Sequence, residues 1–476
     1  MQVSVSTNVR RALLLAAILP FSSWGQQLPT ALNPAVQKVV DGVSEERITA
    51  TLHKLEGFGT RHIMSDRDNP THGIGAAQRW LESEFKSYSP RLEVHSEIFT
   101  LKKQARVAHD VETGNVIAVL PGKVHKDLYV IVSSHYDTLA MNRPTGQIST
   151  GEESTPVGAD PLPVAPGVTD DGSGVAAVLE LARVMSQYEY DKSIVFVTFS
   201  AEEVGLLGSR DYAEKAKKAG QHIEAVLNND IIGSDIAGNR RTANGVLRVF
   251  SDGPEDSPSR SLARYTKEVA ERYVPSMKVD LIFRADRFGR GGDHTSFVRA
   301  GFAGVRFTTP AENYANQHTP TDTFSNTSPS YITRVAKMNG AVLASLALAP
   351  AAPETSREVM SGPRKGSRTP LLGRGKSGYD AALEWKNPNP EPDLAGYAVV
   401  IRSTTSAMWE REIFVGNATS YTMPDLSIDD VVIGVKAIDK EGNASLVSSY
   451  VAVAPASVAA GAAAQSTDQP SPATAK

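Results

Sequence analysis

Five short stretches of this 476-residue chain set histidine or acidic side chains at the ends of apolar runs or in the loops beside them. "IVSSHYDTLA" carries His135 and Asp137, "GVTDDGSGVA" carries Asp170 and Asp171, and "VTFSAEEVGLLGS" carries Glu202 and Glu203. "VLNNDIIG" adds Asp230 and "NQHTPTDTF" adds His318. Each has a structural explanation when taken singly. Asp170 or Asp171 suits the N-cap of the helix that follows, where a carboxylate accepts orphan N–H groups and meets the positive end of the dipole. Ser200 with Glu203 fits a capping box. His135 with Asp137 reads as a strand-end pair, Asp230 as a turn acid near Gly233, and His318 as a loop residue before a proline turn. Together these explanations require five coincidences, whereas one metal site accounts for all of them. Imidazole nitrogen and carboxylate oxygen hold zinc, and with no cysteine in the chain any metal must sit among His, Asp and Glu. His135, Asp170, Glu203, Asp230 and His318 are enough for two ions if one carboxylate bridges them, which offsets the repulsion between the metals. An open position would hold water or hydroxide. Adjacent side chains diverge, so one of Glu202 and Glu203 can face the metal while the other takes a proton from the metal-held water. Asp137 is spaced to accept the other ring N–H of His135 and fix its tautomer.

These residues need a scaffold that brings distant loops together. From Val36 to Ala349 short apolar runs alternate with amphipathic stretches, the pattern of an α/β unit with a mostly parallel or mixed sheet and helices on both faces. The clearest strands are "LYVIVSS", "SIVFVTF", "EAVLN" and "AGVRFT", and the clearest helices are Gly174 to Ser186 and the run beginning at Tyr331. In such a sheet ligands bind at the carboxyl ends of strands, where the acids and histidines fall.

The remainder of the chain divides by composition. Arg10 and Arg11, then "ALLLAAILPF", then "SSWGQQ" follow the order of a secretory signal peptide cut after Gly25. Export to periplasm or medium is therefore expected, with no transmembrane segment in the mature chain, because the apolar run is too short to span a bilayer. The expected organisation is a signal peptide at 1–25, a catalytic domain at 26–350, a Pro/Gly/Ser/Arg-rich linker at 351–378, an all-β sandwich at 379–455 and a disordered tail at 456–476. A net charge of −4 with both signs interspersed gives no nucleic-acid footprint, so small or peptidic partners are expected.

"SSHYDT", "GVTDDGSGVA", "FSAEEVGLLGS", "NNDIIG", "GGDHTSF" and "NQHTPTDTF" occur in the order found in the co-catalytic dizinc aminopeptidases, metallopeptidase family twenty-eight of clan MH, which the chain resembles from about Val36 to Ala349. The resemblance implies the zinc exopeptidase fold and two Zn2+ ions, with His135 and Asp230 on one, Glu203 and His318 on the other, and Asp170 bridging. It also implies Glu202 as general base, Asp137 as orienting acid and peptide substrates. Asp171 is left as the helix cap. Asp293 and His294 match a motif near the substrate pocket, and Arg287, Arg284 and Tyr314 are candidates to contact substrate or polarise its carbonyl. Gln317 stands where some relatives have tyrosine, leaving Tyr314 the nearest substitute. An exported aminopeptidase using a metal-bound hydroxide is the leading expectation, and a glutamate-carboxypeptidase-like exopeptidase the alternative. A glutaminyl cyclase or a non-catalytic binding protein on the same scaffold fits less well. The second unit resembles fibronectin type III modules through Leu383, Trp385, "LAGYAVVIR" and "VVIGVKAIDKEGNAS", although Val431 replaces the strand tyrosine expected there. A spacer, a surface contact and a contact with the catalytic domain are the roles open to it.

Overall fold

The computed structural model describes residues 32–141, 164–286, 290–363, 365–388 and 391–451. The expected signal peptide and tail, and Arg287, lie outside them. Two capped helices open the described chain. Asn33 accepts from Ala35 N ahead of α1 (Pro34–Gly42), and Ser44 accepts from Arg47 N ahead of α2 (Glu45–Glu56). After α3 (Gly73–Tyr88) come β1 (Glu93–Leu101), β2 (Val111–Leu120) and β3 (His125–His135), then α4 (Ser173–Met185), β4 (Lys192–Phe199), α5 (Leu207–Lys218) and β5 (His222–Asn229). β6 (Val246–Phe250), α6 (Pro258–Tyr273), β7 (Lys278–Ile282), α7 (His294–Ala300), β8 (Gly304–Thr308) and α8 (Pro329–Leu348) complete the first unit.

Its eight strands form one sheet in the order β1-β2-β4-β3-β5-β8-β6-β7. The central neighbours β4, β3, β5 and β8 run parallel, while β1, β2 and β6 enter antiparallel contacts, so the expected α/β fold holds with a mixed sheet. Both faces are covered, which explains apolar runs without polar alternation. Ile131, Val195, Val197 and Phe199 pack with Ala213 and Ala216 of α5 and Phe297 of α7, whereas Val130, Val132, Ile194 and Phe196 face the larger core with α4 and α8. Each such buried side chain contributes about 1.5–3 kcal/mol, and Phe196→Ala would cost about 3–5 kcal/mol. Register sets the strand ends level: His135 pairs with Phe199, Ser133 with Asn228 and Asn229 with Phe307.

The second unit has three-stranded and four-stranded antiparallel sheets and a small hairpin. The hairpin pairs β9 (Ser356–Glu358) with β10 (Arg368–Pro370). One sheet joins β11 (Leu372–Gly373), β12 (Ala381–Glu384) and β15 (Ser420–Met423), and the other β14 (Arg411–Gly416), β13 (Leu394–Ser403), β16 (Val431–Asp439) and β17 (Ser448–Ser449). Leu383, Trp385, Tyr397, Val399, Ile401 and Val435 share its core, with the Trp385 and Tyr397 rings 5.5 Å apart. The expected linker at 351–378 is corrected here. It supplies β9, β10 and β11, and Leu371 and Leu372 pack against this core; strands of two or three residues are too short to show periodicity among Pro and Gly. The two units touch extensively. Leu446 joins the main core, Asn33 Nδ2 donates to Asn443 Oδ1 at 2.9 Å, and Ser261 Oγ donates to Val447 O at 2.8 Å. Among the described residues no helix is long and apolar enough to cross a membrane.

Candidate metal centre

His135 is the last residue of β3, Glu202 and Glu203 follow β4, and Asp230 follows β5, so the parallel strands deliver four of the predicted side chains to one end of the sheet. Asp170 arrives on the irregular turn before α4, and His318 on the loop after β8. Donor atoms of His135, Asp170 and Asp230 lie within 4.8 Å of one another, as do those of Asp170, Glu203 and His318. Asp170 belongs to both groups: Oδ1 is 3.2 Å from His135 Nε2 and Oδ2 is 3.1 Å from His318 Nε2. Glu203 Oε2 is also 3.1 Å from His318 Nε2. Two ligands of a tetrahedral zinc with bonds near 2.0–2.1 Å stand roughly 3.3 Å apart, so these separations suit the edges of such a site. Glu203 Oε1 is buried without a hydrogen-bond partner, an orphaned oxygen that a cation would satisfy.

Electrostatics agree with that chemistry. Burial, then neighbouring acids, raises the carboxyls of Glu202, Glu203 and Asp230. Burial also opposes ionisation of Asp170, but hydrogen bonds from His135 and His318 overcome it and hold that carboxyl well below the usual range. Several acids crowded out of water form a potential well for divalent ions.

The surrounding backbone is shaped to hold this arrangement. Ala201, Ile231 and His318 all adopt positive φ, at 62°, 61° and 57°. A β-branched residue such as Ile231 is strained there by about 1–3 kcal/mol, and hydrogen bonds hold it: Ile231 N donates to Asp171 Oδ1 at 3.2 Å and its carbonyl accepts from Thr309 N at 2.9 Å. Asp171 also accepts from Gly174 N at 3.0 Å and His135 N at 3.3 Å, so the capping acid ties α4 to the ends of β3 and β5. A side chain at Gly174 would place Cβ 2.3 Å from Asp171 Oδ2, which explains the glycine.

Several expectations are corrected in detail. Ser200 and Glu203 form no capping box, because α5 begins only at Leu207 and Ser200 Oγ bonds Thr113 Oγ1 at 2.5 Å. The Asp137 carboxylate accepts from Glu202 N at 3.1 Å and Glu203 N at 3.2 Å, while His135 Nδ1 lies 3.1 Å from the Asp137 carbonyl and 3.7 Å from Oδ1. Asp137 thus orients the paired glutamates, and its main chain orients the imidazole. Tyr314 is not part of the cavity lining; its hydroxyl turns to Glu312 Oε1 at 3.4 Å. Arg284 is exposed and outside the lining too. His294 is buried, lines the cavity and stays neutral, its pKa pushed down to about 3 by burial and then by Arg306. Asp293, the preceding residue, is wholly buried, its carboxyl pushed up to about 7 by burial.

Three charged residues escape sequence reasoning. Arg61 is fully buried and donates to the carbonyls of Tyr136, Leu55, Pro166 and Gly167 at 2.5–3.1 Å. Asp322 accepts from Thr169 N at 2.9 Å and Asp170 N at 3.0 Å. Arg306 Nη2 donates to Asp230 Oδ1 at 3.1 Å. The signal available for each was a charge inside an apolar or compact loop segment. The centre opens on a cavity of about 710 Å³ that Glu202, Phe250, Asp286, Arg290, His294 and Gln317 help to line.

Residues 115–343 match the model of peptidase family M28. A probable zinc metalloprotease of Pyrenophora tritici-repentis is 32% identical over 460 residues, covering 90% of this chain and 89% of the relative. The chain belongs to peptidase family M28. A probable zinc metalloprotease of Pyricularia oryzae is 34% identical, covering 89% of this chain and 86% of that one. Matches of this extent require residues beyond α8, so these relatives share sequence with the second unit as well. Among solved structures, LapB from Legionella pneumophila superposes with a TM-score of 0.50 at 19% identity, covering 68% of this chain and 78% of that chain, a likeness of fold alone. An M28 chain is a zinc-dependent peptidase, and this one presents the donor set that zinc requires.

Proposed function

We propose that the protein is an exported aminopeptidase with two zinc ions. The observation that carries this reading is the pair of three-ligand groups joined at Asp170, with Glu202 alongside on the same cavity. His135 and Asp230 would hold one ion, Glu203 and His318 the other, and Asp170 would bridge. Zinc, when bound, polarises the scissile carbonyl and makes a water molecule acidic enough to attack at neutral pH. Glu202 takes the proton as the water oxygen bonds to the carbonyl carbon, then gives it to the nitrogen as the C–N bond breaks. Asp137 keeps Glu202 and Glu203 divergent through their amides, and Arg306 holds Asp230 in place.

Attack beside a free amine is favoured over attack beside a free carboxylate by how the inner arginines are engaged. Arg290 binds Glu312 at 2.8 Å and Asp286 at 3.0 Å, and Arg306 binds Asp230. The cavity acid Asp252 offers its carboxylate to a cationic α-amine. The glutamate-carboxypeptidase-like reading retains one supporting observation: Arg106, Arg210 and Arg299 also line the cavity and, among the described residues, have no carboxylate within 4.0 Å. Free and N-acetylated peptides separate the two readings. An aminopeptidase cleaves only the free forms, and cleavage of N-acetylated peptides ending in glutamate, with leucyl amides untouched, would reverse the choice. Export through residues 1–25 belongs to the same proposal and predicts a mature N-terminus at about Gln26. So does fibronectin type III kinship of the second unit, supported by its packed sheets and the Trp385–Tyr397 stack.

A further inference from the structure

The second unit grips the wall of the substrate cavity through a cluster of charges built on two buried arginines, Arg402 and Arg264. Arg402 on β13 is 1% exposed. Its Nη2 lies 3.0 Å from Glu255 Oε1 and 2.5 Å from Asp256 Oδ1, across the interface. Nη1 is anchored to its own unit by the carbonyls of Ser403 and Ser406 at 3.1 and 2.9 Å, and the guanidinium covers the Trp409 ring at 5.7 Å. On the other side Glu255 binds Arg260, and binds Arg264 Nη2 at 2.5 Å, while Arg264 Nε donates back to Ala407 O at 2.7 Å. The Arg260 and Arg264 guanidiniums lie 5.0 and 4.8 Å from the Phe283 ring, and Arg260 Nη2 donates to Phe283 O at 2.8 Å.

The position of these partners gives the cluster its consequence. Glu255 and Asp256 end the segment that begins with Phe250 and Asp252, and Phe283 begins the segment that leads to Asp286. Phe250, Asp252, Asp286 and Arg290 line the cavity. Two neighbouring strand-end segments therefore meet the cavity at one end and the Arg402 cluster at the other. Asp256 sits at φ 59°, a conformation that its surroundings must hold. Ion pairs add little net stability whether their charges are buried, as at Arg402 and Asp256, or part-exposed, as at Glu255, so a cluster of this kind fixes position more than it adds strength.

We propose that Arg402 is a positioning residue for the substrate cavity. Through Glu255, Asp256, Arg264 and Phe283 the β-sandwich fixes the wall carrying Phe250, Asp252 and Asp286, and so sets which substrate side chain fits beside the metal centre. The choice of substrates rests on the aminopeptidase reading above; the exchange measurement does not.

The test uses the full-length, zinc-loaded protein with Arg402→Gln, Arg402→Lys and Glu255→Gln. For Arg402→Gln, KM for an aminoacyl amide with a large side chain should rise about ten-fold with kcat within about two-fold, because the side-chain binding lost is shared equally by ground and transition states. KM for the alanyl amide should move less, and zinc content should stay at the wild-type level. Amide hydrogen exchange in residues 250–256 and 283–286 should accelerate by about ten-fold or more while the amides of β3 to β5 keep their wild-type protection. Arg402→Lys should recover part of the effect, since one ammonium cannot serve both carboxylates as the fork does. Glu255→Gln alters a residue 46% exposed at its side chain, so it keeps the test open if Arg402→Gln folds poorly, and it should shift both readouts in the same direction. Unchanged exchange in both segments, an equal KM change for large and small side chains, or kcat falling together with zinc content would overturn the proposal. If the wild type cleaves no aminoacyl amide, the aminopeptidase reading fails and the exchange result alone decides the role of Arg402.

Discussion

Replacing Arg61 by methionine should destabilise the protein by an amount that its acceptors define. Nε donates to Tyr136 O at 2.7 Å, Nη1 to Pro166 O at 2.5 Å and Leu55 O at 3.1 Å, and Nη2 to Gly167 O at 2.9 Å. Two of these carbonyls keep another donor, since Leu55 O also accepts from Phe58 N and Gly167 O from Gly172 N. Among the described residues Tyr136 O and Pro166 O have none. Two buried carbonyls left without partners cost about 1–3 kcal/mol each, so the Arg61→Met variant should lose about 4 kcal/mol. The cation itself is retained at neutral pH although burial pushes it down to about 10, because Asp322, Asp137, Asp171 and Asp170 draw it the other way. Tyr136 lies between His135 and Asp137, and Gly167 lies three residues before Asp170, so zinc affinity should also weaken, by about 10–100-fold as for other supports of metal ligands. Urea unfolding of the zinc-free form reports the first quantity, and competition with a chromogenic chelator the second. A loss below about 1 kcal/mol in the methionine variant, with wild-type zinc affinity, would refute the clamp.

Asp170→Asn should abolish stoichiometric zinc binding, whereas Asp171→Asn should keep zinc and lose about 2–4 kcal/mol, because the new amide opposes backbone N–H donors that the carboxylate now accepts. Metal analysis and unfolding of the two variants side by side check this. Glu202→Gln should lower kcat by about 10²–10⁴ with zinc content unchanged, measured on leucyl amides under saturating substrate. Chelator treatment should lower Tm and abolish activity, both returning on zinc addition, with a Tm that rises with free zinc concentration by mass action. Gly174→Ala should be poorly tolerated, with reduced soluble yield, since its Cβ falls 2.3 Å from Asp171 Oδ2.

The sequence revealed most where chemistry and pattern coincide. β3, β4 and β5 are apolar runs ending at His135, Phe199 and Asn229, so the residues that follow them had to meet at one edge of a parallel sheet. Either member of the Asp170 and Asp171 pair could cap α4 by its residue type, and only the family motif singles out Asp170, which faces His135 and His318 while Asp171 faces main-chain N–H groups. The supports were less legible. Nothing in "GTRH" shows that Arg61 meets carbonyls from three separate segments, and nothing around Arg306 shows that it reaches Asp230. Such contacts depend on tertiary approach, not on local period. Tyr314, a candidate on sequence proximity to His318, turns its ring toward Arg290 and its hydroxyl toward Glu312, an orientation its neighbours in sequence do not reveal. β11 was missed because its two residues have no pattern to read, and only its pairing with Leu383 and Ala382 defines it.

Leu446 gives the catalytic unit a dependence on time. This side chain completes the main hydrophobic core, and Asn443 close by meets Asn33 at the head of α1. A ribosome releases these residues only after nearly every other described residue has emerged, so α1 waits for a segment 410 positions further along before its surroundings are finished. A nascent chain of this kind completes this core only once residue 446 has emerged, and a premature stop ahead of Leu446 would leave an apolar gap in it that chaperones can recognise.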